Sequence, residues 1–251
     1  MTIRAEDNER TNNLKVGVEI GRDLFNGVVI RPDRVRQNSS GYGLFGLNAH
    51  YSNLSLISYI GAKAEYFLWN NRIGIGAGLR FSMYNSTFSS NKGSFLWLLK
   101  EDGLTTDYVR IIHITQKSPY IGVPLEFRFF PNNHDWFVQY YVKVGVMFNY
   151  RLSTNDSVTF LNPAMNLHAE TVMNQVDDPP NFNAYLYPVI GLKLARCPWF
   201  NLEIHVPCVM FRSKNATSTQ LNADETATAG AGIQFSIQIP LGTNYKMGTG
   251  D

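Results

Sequence analysis

Histidine and carboxylate side chains are the groups in this chain best suited to chemistry, and one pair has a suggestive spacing. Glu203 and His205 are separated by one residue, which places both side chains on the same face of an extended strand. A carboxylate beside an imidazole can orient a general base. The pair therefore supports a hydrolase hypothesis, although a structural hydrogen-bond network is the simpler interpretation.

The remaining histidines lie in or beside predicted turns and loops: His50, His113, His134 and His168. None of them belongs to an HExxH zinc motif, and the chain contains no GxSxG motif, P-loop or dinucleotide fingerprint. The sequence therefore predicts no catalytic residue, no resident metal and no cofactor.

Three acidic pairs lie in predicted loops, at Glu101–Asp102, Asp177–Asp178 and Asp224–Glu225. They leave open the binding of divalent cations, while solvated loop charge is the simpler interpretation. The two cysteines, Cys197 and Cys208, lie roughly 30 Å apart along a predicted strand at ~3.3 Å per residue, which is too far for a disulfide.

The composition points to a membrane and away from nucleic acid. Charged residues make up only 17% of the chain, against 44% hydrophobic residues, whereas soluble domains average about 25% charged residues. The net charge of +2 does not provide the concentrated basic face that nucleic acid requires. No apolar run reaches the roughly eighteen residues of a transmembrane helix.

Period-two alternation is the main structural signal, and it is clearest in residues 118–150. Ile121, Val123 and Leu125 alternate with Gly122 and other small or polar residues, and a second alternating run follows the turn at 131–135. This pattern predicts a β-hairpin whose strands exceed the usual five or six residues. Prolines inside strands remove hydrogen-bond donors, so we expect bulges at Pro124, Pro188 and Pro207.

Eight such strands recur along the chain, and the segments between them alternate in length. The strands are predicted at about 14–24, 54–68, 73–83, 118–129, 136–148, 184–195, 200–211 and 231–239. Short turns follow the second, fourth and sixth strands. Long polar segments follow the first, third, fifth and seventh strands, at 25–53, 85–117, 151–183 and 212–228. Residues 95–99 and 108–115 are expected to form local structure within them. This order predicts one domain over residues 1–251, with polar tails at 1–13 and 242–251, folded as an all-β, eight-stranded antiparallel up-and-down transmembrane β-barrel with long external loops.

Alternation alone does not say which face is inside. The polar face is rich in glycine, and its charges are sparse and balanced, which suits a narrow interior where charges must pair. We predict a lumen charge network of Lys15, Glu19, Lys63, Glu65, Arg80, Glu126, Arg128, Lys143, Lys193, Glu203 and His205. A soluble lipocalin-like carrier of an apolar ligand, with the apolar face inside, is the alternative.

Aromatic residues gather at the predicted strand ends, where the two membrane interfaces would lie. We expect interface girdles formed by Tyr66, Trp69, Tyr84, Phe129, Phe130, Trp136, Phe148, Tyr150, Trp199 and Phe200.

The segment 118–130, SPYIGVPLEFRFF, resembles the strand signature of the PorT-like outer-membrane β-barrel family of Bacteroidetes. The glycine-alternating strand IGIGAGLRF and the eight-strand, OmpA-like plan are similar too. The resemblance implies an eight-stranded barrel in the outer membrane of a Gram-negative bacterium. It implies little about activity, and some members of the family are linked to type IX secretion. Because the first residues are polar, an outer-membrane location carries the expectation that a signal peptide has been removed.

The function predicted from these features is non-enzymatic. The lumen would be plugged by its charged side chains, because an eight-stranded barrel is just wide enough for side chains to fill. The expected partners are the lipid bilayer of the outer membrane and a protein or glycan at the external loops, with no nucleic acid. A membrane-embedded hydrolase that uses His205 is the third hypothesis.

Overall fold

Extended strands make up nearly all of the chain that the structure describes. A computed structural model describes residues 13–27, 34–36, 51–69, 71–90, 92–101, 106–131, 138–194, 199–206, 209–212 and 229–241. Its strands are β1 Leu14–Gly27, β2 Tyr51–Leu68, β3 Ile73–Ser90, β4 Phe95–Glu101, β5 Thr106–Phe129, β6 Val138–Arg151, β7 Asn155–Phe160, β8 Phe182–Leu194, β9 Trp199–His205, β10 Val209–Arg212 and β11 Ala229–Pro240. A 3-10 helix, Pro163–His168, leads into the short helix α1, Ala169–Met173. No helix among these residues is long and apolar enough to cross a membrane.

The strands close into a barrel of eight antiparallel wall strands, which confirms the predicted fold class. Around the wall the order is β1, β2, β3, β5, β6, β8, β9 and β11, and β11 pairs back with β1. Short β10 continues β9 along the same neighbour, β8. Each of these eight strands pairs with a neighbour on both sides, as a membrane interior with no water for backbone groups requires.

The barrel is inverted relative to a soluble carrier. Side chains on one face of each wall strand are exposed and apolar, as in Val18, Ile60, Leu79 and Val144. The opposite face is buried inside the barrel and carries the charged, amide and tyrosine side chains. The carrier alternative needs the reverse arrangement and is therefore wrong.

The short turns lie at one end of the barrel and the long connections at the other. The turn between β2 and β3 places Trp69 and Asn71 at positive φ, 50° and 63°, and the Arg72 amide donates to the Leu68 carbonyl at 3.1 Å. Asparagine tolerates this left-handed backbone better than most residues, which accounts for the tight reversal.

Beyond the barrel, the same sheet continues into part of the long connections, and this part is called the external sheet. The first half of β5 pairs with β4 on one side and with β7 on the other, and Val35 bridges to Trp97 of β4. A separate apolar core fills one face of this external sheet: Val35, Tyr51, Phe88, Phe95, Trp97, Val109, Ile111, Ile114, Phe160, Val172 and Val176. The long connections thus contain an ordered unit rather than only polar loop.

Several predicted details are corrected. Most strands extend past their predicted ends, and β7 and the two helical segments occupy the region predicted as loop over 151–183. Residues 95–99 form β4, and residues 108–115 belong to β5. The predicted bulges at Pro124 and Pro188 are wrong, because both prolines keep a continuous register with β6. Here the proline simply lacks one donor.

The registers in which β9 and β10 pair with β8 differ by one residue, since His205 pairs with Val189 and Val209 pairs with Leu186. Other sequence predictions lie outside the described residues: the tails 1–12 and 242–251, His50, Asp102, His134, Trp136, Cys197, Pro207, Cys208, Asp224 and Glu225. The single-domain assignment stays a prediction.

Candidate functional site

The lumen brings together every side chain of the predicted charge network. All eleven are buried inside the wall, between 0% and 7% exposed. They come from seven different wall strands, because alternate residues of each strand point inward. The list is Lys15, Glu19, Lys63, Glu65, Arg80, Glu126, Arg128, Lys143, Lys193, Glu203 and His205.

Glu203 and Glu126 form the centre of the network, and they share Lys143. The Lys143 ammonium lies 2.5 Å from one Glu203 oxygen and 2.7 Å from a Glu126 oxygen. Arg128 donates to Glu203 at 3.2 Å, and Tyr141 donates to the same oxygen at 2.6 Å. Lys63 lies 3.6 Å from Glu126 and 3.9 Å from Glu203. Each buried carboxylate thus faces more than one cation, which offsets its loss of hydration.

Two further carboxylates complete the network on either side of this centre. Glu19 accepts from Arg80 at 2.6 Å and lies 3.4 Å from Lys63. Glu65 lies 3.0 Å from the Arg128 Nε. Through these contacts the ion pairs link β1, β2, β3 and β5 of the wall.

Amide and hydroxyl groups extend the network around the charges. Gln234 donates to Glu19 at 3.0 Å, and Gln238 donates to Glu65 at 2.8 Å. Tyr187 donates to Glu126 at 2.9 Å. These roles of the two glutamines and of Tyr187 were not predicted from the sequence, although strict alternation along β11 places both glutamines on the polar face.

Aromatic rings close the lumen at the short-turn end. Phe67, Phe130, Tyr141 and Trp199 pack as one cluster, the short-turn layer. Two network lysines lie here: Lys15 sits 2.8 Å from the Trp199 ring centre, and Lys193 sits 4.0 Å from it. Cation–π contacts of this kind are strengthened where water is excluded.

A second apolar layer, the long-loop layer, closes the other end. It consists of Phe25, Ile57, Tyr59, Tyr84 and Tyr120. The connection before β8 lies across it, where Gln116 donates to the Asp177 carbonyl at 3.1 Å and Tyr120 donates to the Pro180 carbonyl at 3.4 Å.

The interface girdles predicted from aromatic positions are only partly correct. Tyr84, Phe130 and Trp199 point into the lumen and belong to its two closing layers. Tyr66, Trp69, Phe129, Phe148 and Tyr150 are exposed on the outer wall. Aromatic type alone does not distinguish the two faces, because both the lumen and the interface use rings.

His205 and Glu203 share the polar face but bond to different groups. The His205 Nδ1 lies 3.5 Å from an Asp23 oxygen, and its Nε2 lies 3.3 Å from the Tyr59 hydroxyl. Asp23 is fully buried and was missed by the sequence analysis, although it continues the alternation of β1. These contacts place His205 in the lumen network. Glu203 is not its partner, because Glu203 pairs with Lys143 and Arg128.

The external sheet also contains a partly buried carboxyl group, that of Asp156. Asp156 of β7 lies beside Gln116 and Arg151, with Asp178 nearby, and burial raises the pKa of its carboxyl to about 6 despite the hydrogen bond from Gln116. Asp178 also pairs with Arg151 at 3.1 Å. No group of three or more potential metal ligands occurs in the described part of the chain.

Comparisons with known proteins find similarity at the level of structure. No family model and no curated protein matches the sequence. The outer membrane protein OprG from Pseudomonas aeruginosa aligns with a TM-score of 0.41 and 10% identity, covering 90% of this chain and 96% of OprG. LpxR from Salmonella typhimurium aligns with a TM-score of 0.25 and 7% identity, covering 89% of this chain and 100% of LpxR. Since both TM-scores are below 0.5, we base the assignment on the strand pairing and polarity of the wall.

A closed antiparallel wall with charges inside and an exposed apolar exterior is stable only in a bilayer. The chain forms a transmembrane β-barrel. Barrels of this architecture, with short turns at one end and long connections at the other, belong to outer membranes, and this location agrees with the prediction.

Proposed function

We propose that this protein is a non-enzymatic outer-membrane barrel. Its side chains close the lumen, and its external sheet serves surface recognition or assembly. The observation that carries the proposal is the cross-lumen network around Glu203, Glu126 and Lys143. This network joins several wall strands and lies between two apolar layers. A solute would have to break buried ion pairs to pass.

Planar-bilayer recording tests the closed lumen. The purified barrel is expected to show no steady ionic current, because two apolar layers and the buried ion pairs fill the lumen. The double variant Glu126→Ala/Lys143→Ala removes charged atoms from the centre without altering the outer wall, and we expect it to raise the leak current. A steady current of porin size in the wild type would contradict a closed lumen.

The external sheet is the part of the molecule suited to recognition. Its inner face is covered by its own core, while Tyr108 on the other face is 37% exposed and lies 5.4 Å from the Arg36 guanidinium. An aromatic ring beside arginine is a common element of binding surfaces. A sheet already ordered before binding loses little conformational entropy on binding.

Photo-crosslinking in intact cells tests the recognition role. A crosslinking residue at Tyr108 is expected to capture a discrete protein or glycan partner. The same residue at Val144, on the lipid-facing wall, is the control and should capture lipid only. If Tyr108 and Val144 give the same products, the external sheet has no recognition role.

The hydrolase hypothesis is weaker because His205 faces Asp23 and Tyr59, deep in a closed lumen. A hydrolytic activity of the pure barrel that His205→Ala abolishes would favour it. A link to secretion rests on the resemblance of residues 118–130 to the PorT-like family. Loss of surface-exported proteins in a deletion strain, restored by the wild-type gene, would support that link.

A further inference from the structure

An apolar groove runs along the outside of the barrel across β9, β11, β1, β2 and β3. Its volume is about 540 Å³. Ile20, Ile60, Phe81 and Phe235 line it, and between 41% and 59% of each of these side chains is exposed. A groove of this kind on a membrane-facing wall has the shape and polarity to hold a hydrocarbon chain.

One residue that lines the groove is charged. Arg22 follows Ile20 on the outward face of β1 and is exposed. It pairs across the wall with Ser58 on one side and Ile233 on the other. No acidic side chain among the described residues forms an ion pair with it. A cation on the lipid face of a barrel is destabilising unless it lies near an interface or has an anionic partner.

The height of Arg22 on the wall shows which of these conditions applies. It lies about 20 Å above Leu14, taking ~3.3 Å per residue and a strand tilt of ~40°, so it is close to the upper edge of an apolar band about 25 Å tall. The polar rim begins at the same end on other strands, where Asn85 pairs with exposed Lys117. Arg22 therefore sits at headgroup level on the side of the long connections.

We propose that this groove binds a phosphorylated glycolipid of the external leaflet, with one acyl chain in the groove and a phosphate on Arg22. Guanidinium groups bind phosphate through paired hydrogen bonds, and Ser58 lies beside Arg22 in the groove. A peptide is a poorer occupant because every wall strand here already has a neighbour on both sides. The inference rests on the proposed outer-membrane orientation, which places the long connections in the external leaflet.

The test compares three lipids on the purified barrel in detergent micelles, by native mass spectrometry. The lipids are bis-phosphorylated lipid A, the same lipid A without phosphates, and phosphatidylglycerol. We expect wild type to retain phosphorylated lipid A most strongly. Arg22→Gln should weaken that binding on the order of ten-fold, the effect of losing one charge-assisted contact. Arg110→Gln removes an equal charge from the external sheet and should leave binding unchanged.

A second variant tests the groove separately from the charge. Ile60→Trp fills the groove from an exposed position on the lipid-facing wall and should weaken binding of phosphorylated lipid A while Arg22 remains. Equal binding of the three lipids, or wild-type binding by Arg22→Gln, would overturn the proposal. The heat-modifiable gel shift shows in parallel whether each variant is folded, and bilayer recording shows whether it conducts. A folded, non-conducting barrel without lipid selectivity contradicts only this lipid site. A conducting barrel contradicts the proposed closed lumen.

Discussion

Glu203 is the carboxylate on which the lumen network depends most. It accepts from Lys143, Arg128 and Tyr141, so three wall strands meet at one side chain. If an amide replaced the carboxylate, only one of its two oxygens could still accept, so the donors on the other oxygen would lose their partner. Glu203 therefore connects these wall strands through both hydrogen bonds and ion pairs.

Glu203→Gln is expected to destabilise the barrel by about 3 kcal/mol, the usual effect of breaking a buried ion pair by removing one partner. Urea unfolding of the barrel in lipid vesicles, followed by the heat-modifiable gel shift, measures the change. Glu170→Gln on the exposed surface of α1 is the matched control and should change stability by less than about 0.5 kcal/mol. Equal stabilities for the two variants would show that the network does not hold the wall.

Tyrosine rings lie flat against glycines on the inner wall. A Cβ atom built at Gly191 would lie 2.2 Å from the Tyr141 ring, and one at Gly145 would lie 2.2 Å from the Tyr187 ring. The hydroxyl groups of both tyrosines also donate hydrogen bonds to network carboxylates. Glycine at these positions therefore creates the room that the hydrogen bonds to Glu203 and Glu126 need.

Gly191→Ala should destabilise the barrel by about 1–3 kcal/mol, because the added methyl group displaces the Tyr141 ring from Glu203. Gly76→Ala is the control, since its Cβ would meet nothing closer than 3.5 Å. Both variants are measured by urea unfolding in vesicles. A smaller loss for Gly191→Ala than for Gly76→Ala would contradict the close packing.

At the scale of elements, β5 joins the barrel to the external sheet. It contains 24 residues, whereas a tilted strand needs about 9–11 to cross a bilayer. Residues 113–129 of β5 pair with β3 and residues 120–129 pair with β6. Nearer its start, β5 pairs with β4 and β7 instead, over residues 106–111 and 111–117. One continuous strand thus fixes the external sheet rigidly to the wall.

Trp97→Ala should unfold the external sheet while leaving the barrel intact. Trp97 is 1% exposed in the sheet core and donates to Gln175 at 2.9 Å, and truncating a buried tryptophan costs about 3–5 kcal/mol. Limited proteolysis should then cut the external sheet, while the heat-modifiable shift of the barrel persists. Tyr108→Ala, on the exposed face, should stay as resistant as wild type. If Trp97→Ala also abolished the gel shift, the external sheet would be part of the barrel's folding unit.

Asp156 gives the external sheet a pH dependence. Its folded pKa, raised to about 6 from 3.8, means that the folded state binds the proton more tightly than the unfolded state does. Its contribution to stability is therefore present below pH 3.8 and is lost as the pH rises through about 6. Asp156→Asn should stabilise the sheet at pH 8 by up to about 1 kcal/mol, after discounting for its partial exposure.

Protease resistance of the external sheet at pH 8 and pH 4 measures this difference. The gain from Asp156→Asn should appear at pH 8 and vanish at pH 4, where the wild-type carboxyl is protonated. Asp107→Asn, an exposed residue of β5, should show no such dependence. A gain of equal size at both pH values would mean that the side chain acts by packing rather than by its charge.

The apolar exterior of the whole wall determines that the protein is located in a membrane. Val144 lies near the middle of β6, is 48% exposed and faces outward, while its neighbours Lys143 and Gly145 face inward. Adjacent residues of β6 thus face opposite environments, with Val144 toward the hydrocarbon of the bilayer and Lys143 and Gly145 toward the polar lumen. Only a bilayer stabilises both sides of such a wall.

Val144→Lys should destabilise the membrane-embedded barrel by about 2–4 kcal/mol, because the ammonium would lie near the bilayer midplane. Urea unfolding in vesicles gives the value. Ser153→Lys, in the exposed segment after β6, adds the same charge outside the membrane and should cost little. Equal effects of the two substitutions would argue that Val144 does not contact lipid.

The sequence predicted much of the fold because a strand's side chains alternate by local backbone geometry alone. The number and order of the wall strands, and the residues that share the polar face of each strand, could all be read from period two and from the lengths of the connections. Other features were not predicted. The strand β7 has weak alternation, and although Asp23 continues the alternation of β1, nothing in the sequence shows that it meets His205 of β9. The two closing layers use aromatic residues that resemble an interface girdle.

The residues on each face of each strand follow from the amino-acid sequence alone, because they depend only on neighbours along the chain. Which face is the inside was decided only by closure of the barrel, where β11 pairs with β1. Closure also decided which cation meets which carboxylate. Glu203 and Lys143 are 60 residues apart, and only the curvature of a complete wall brings them within hydrogen-bond distance.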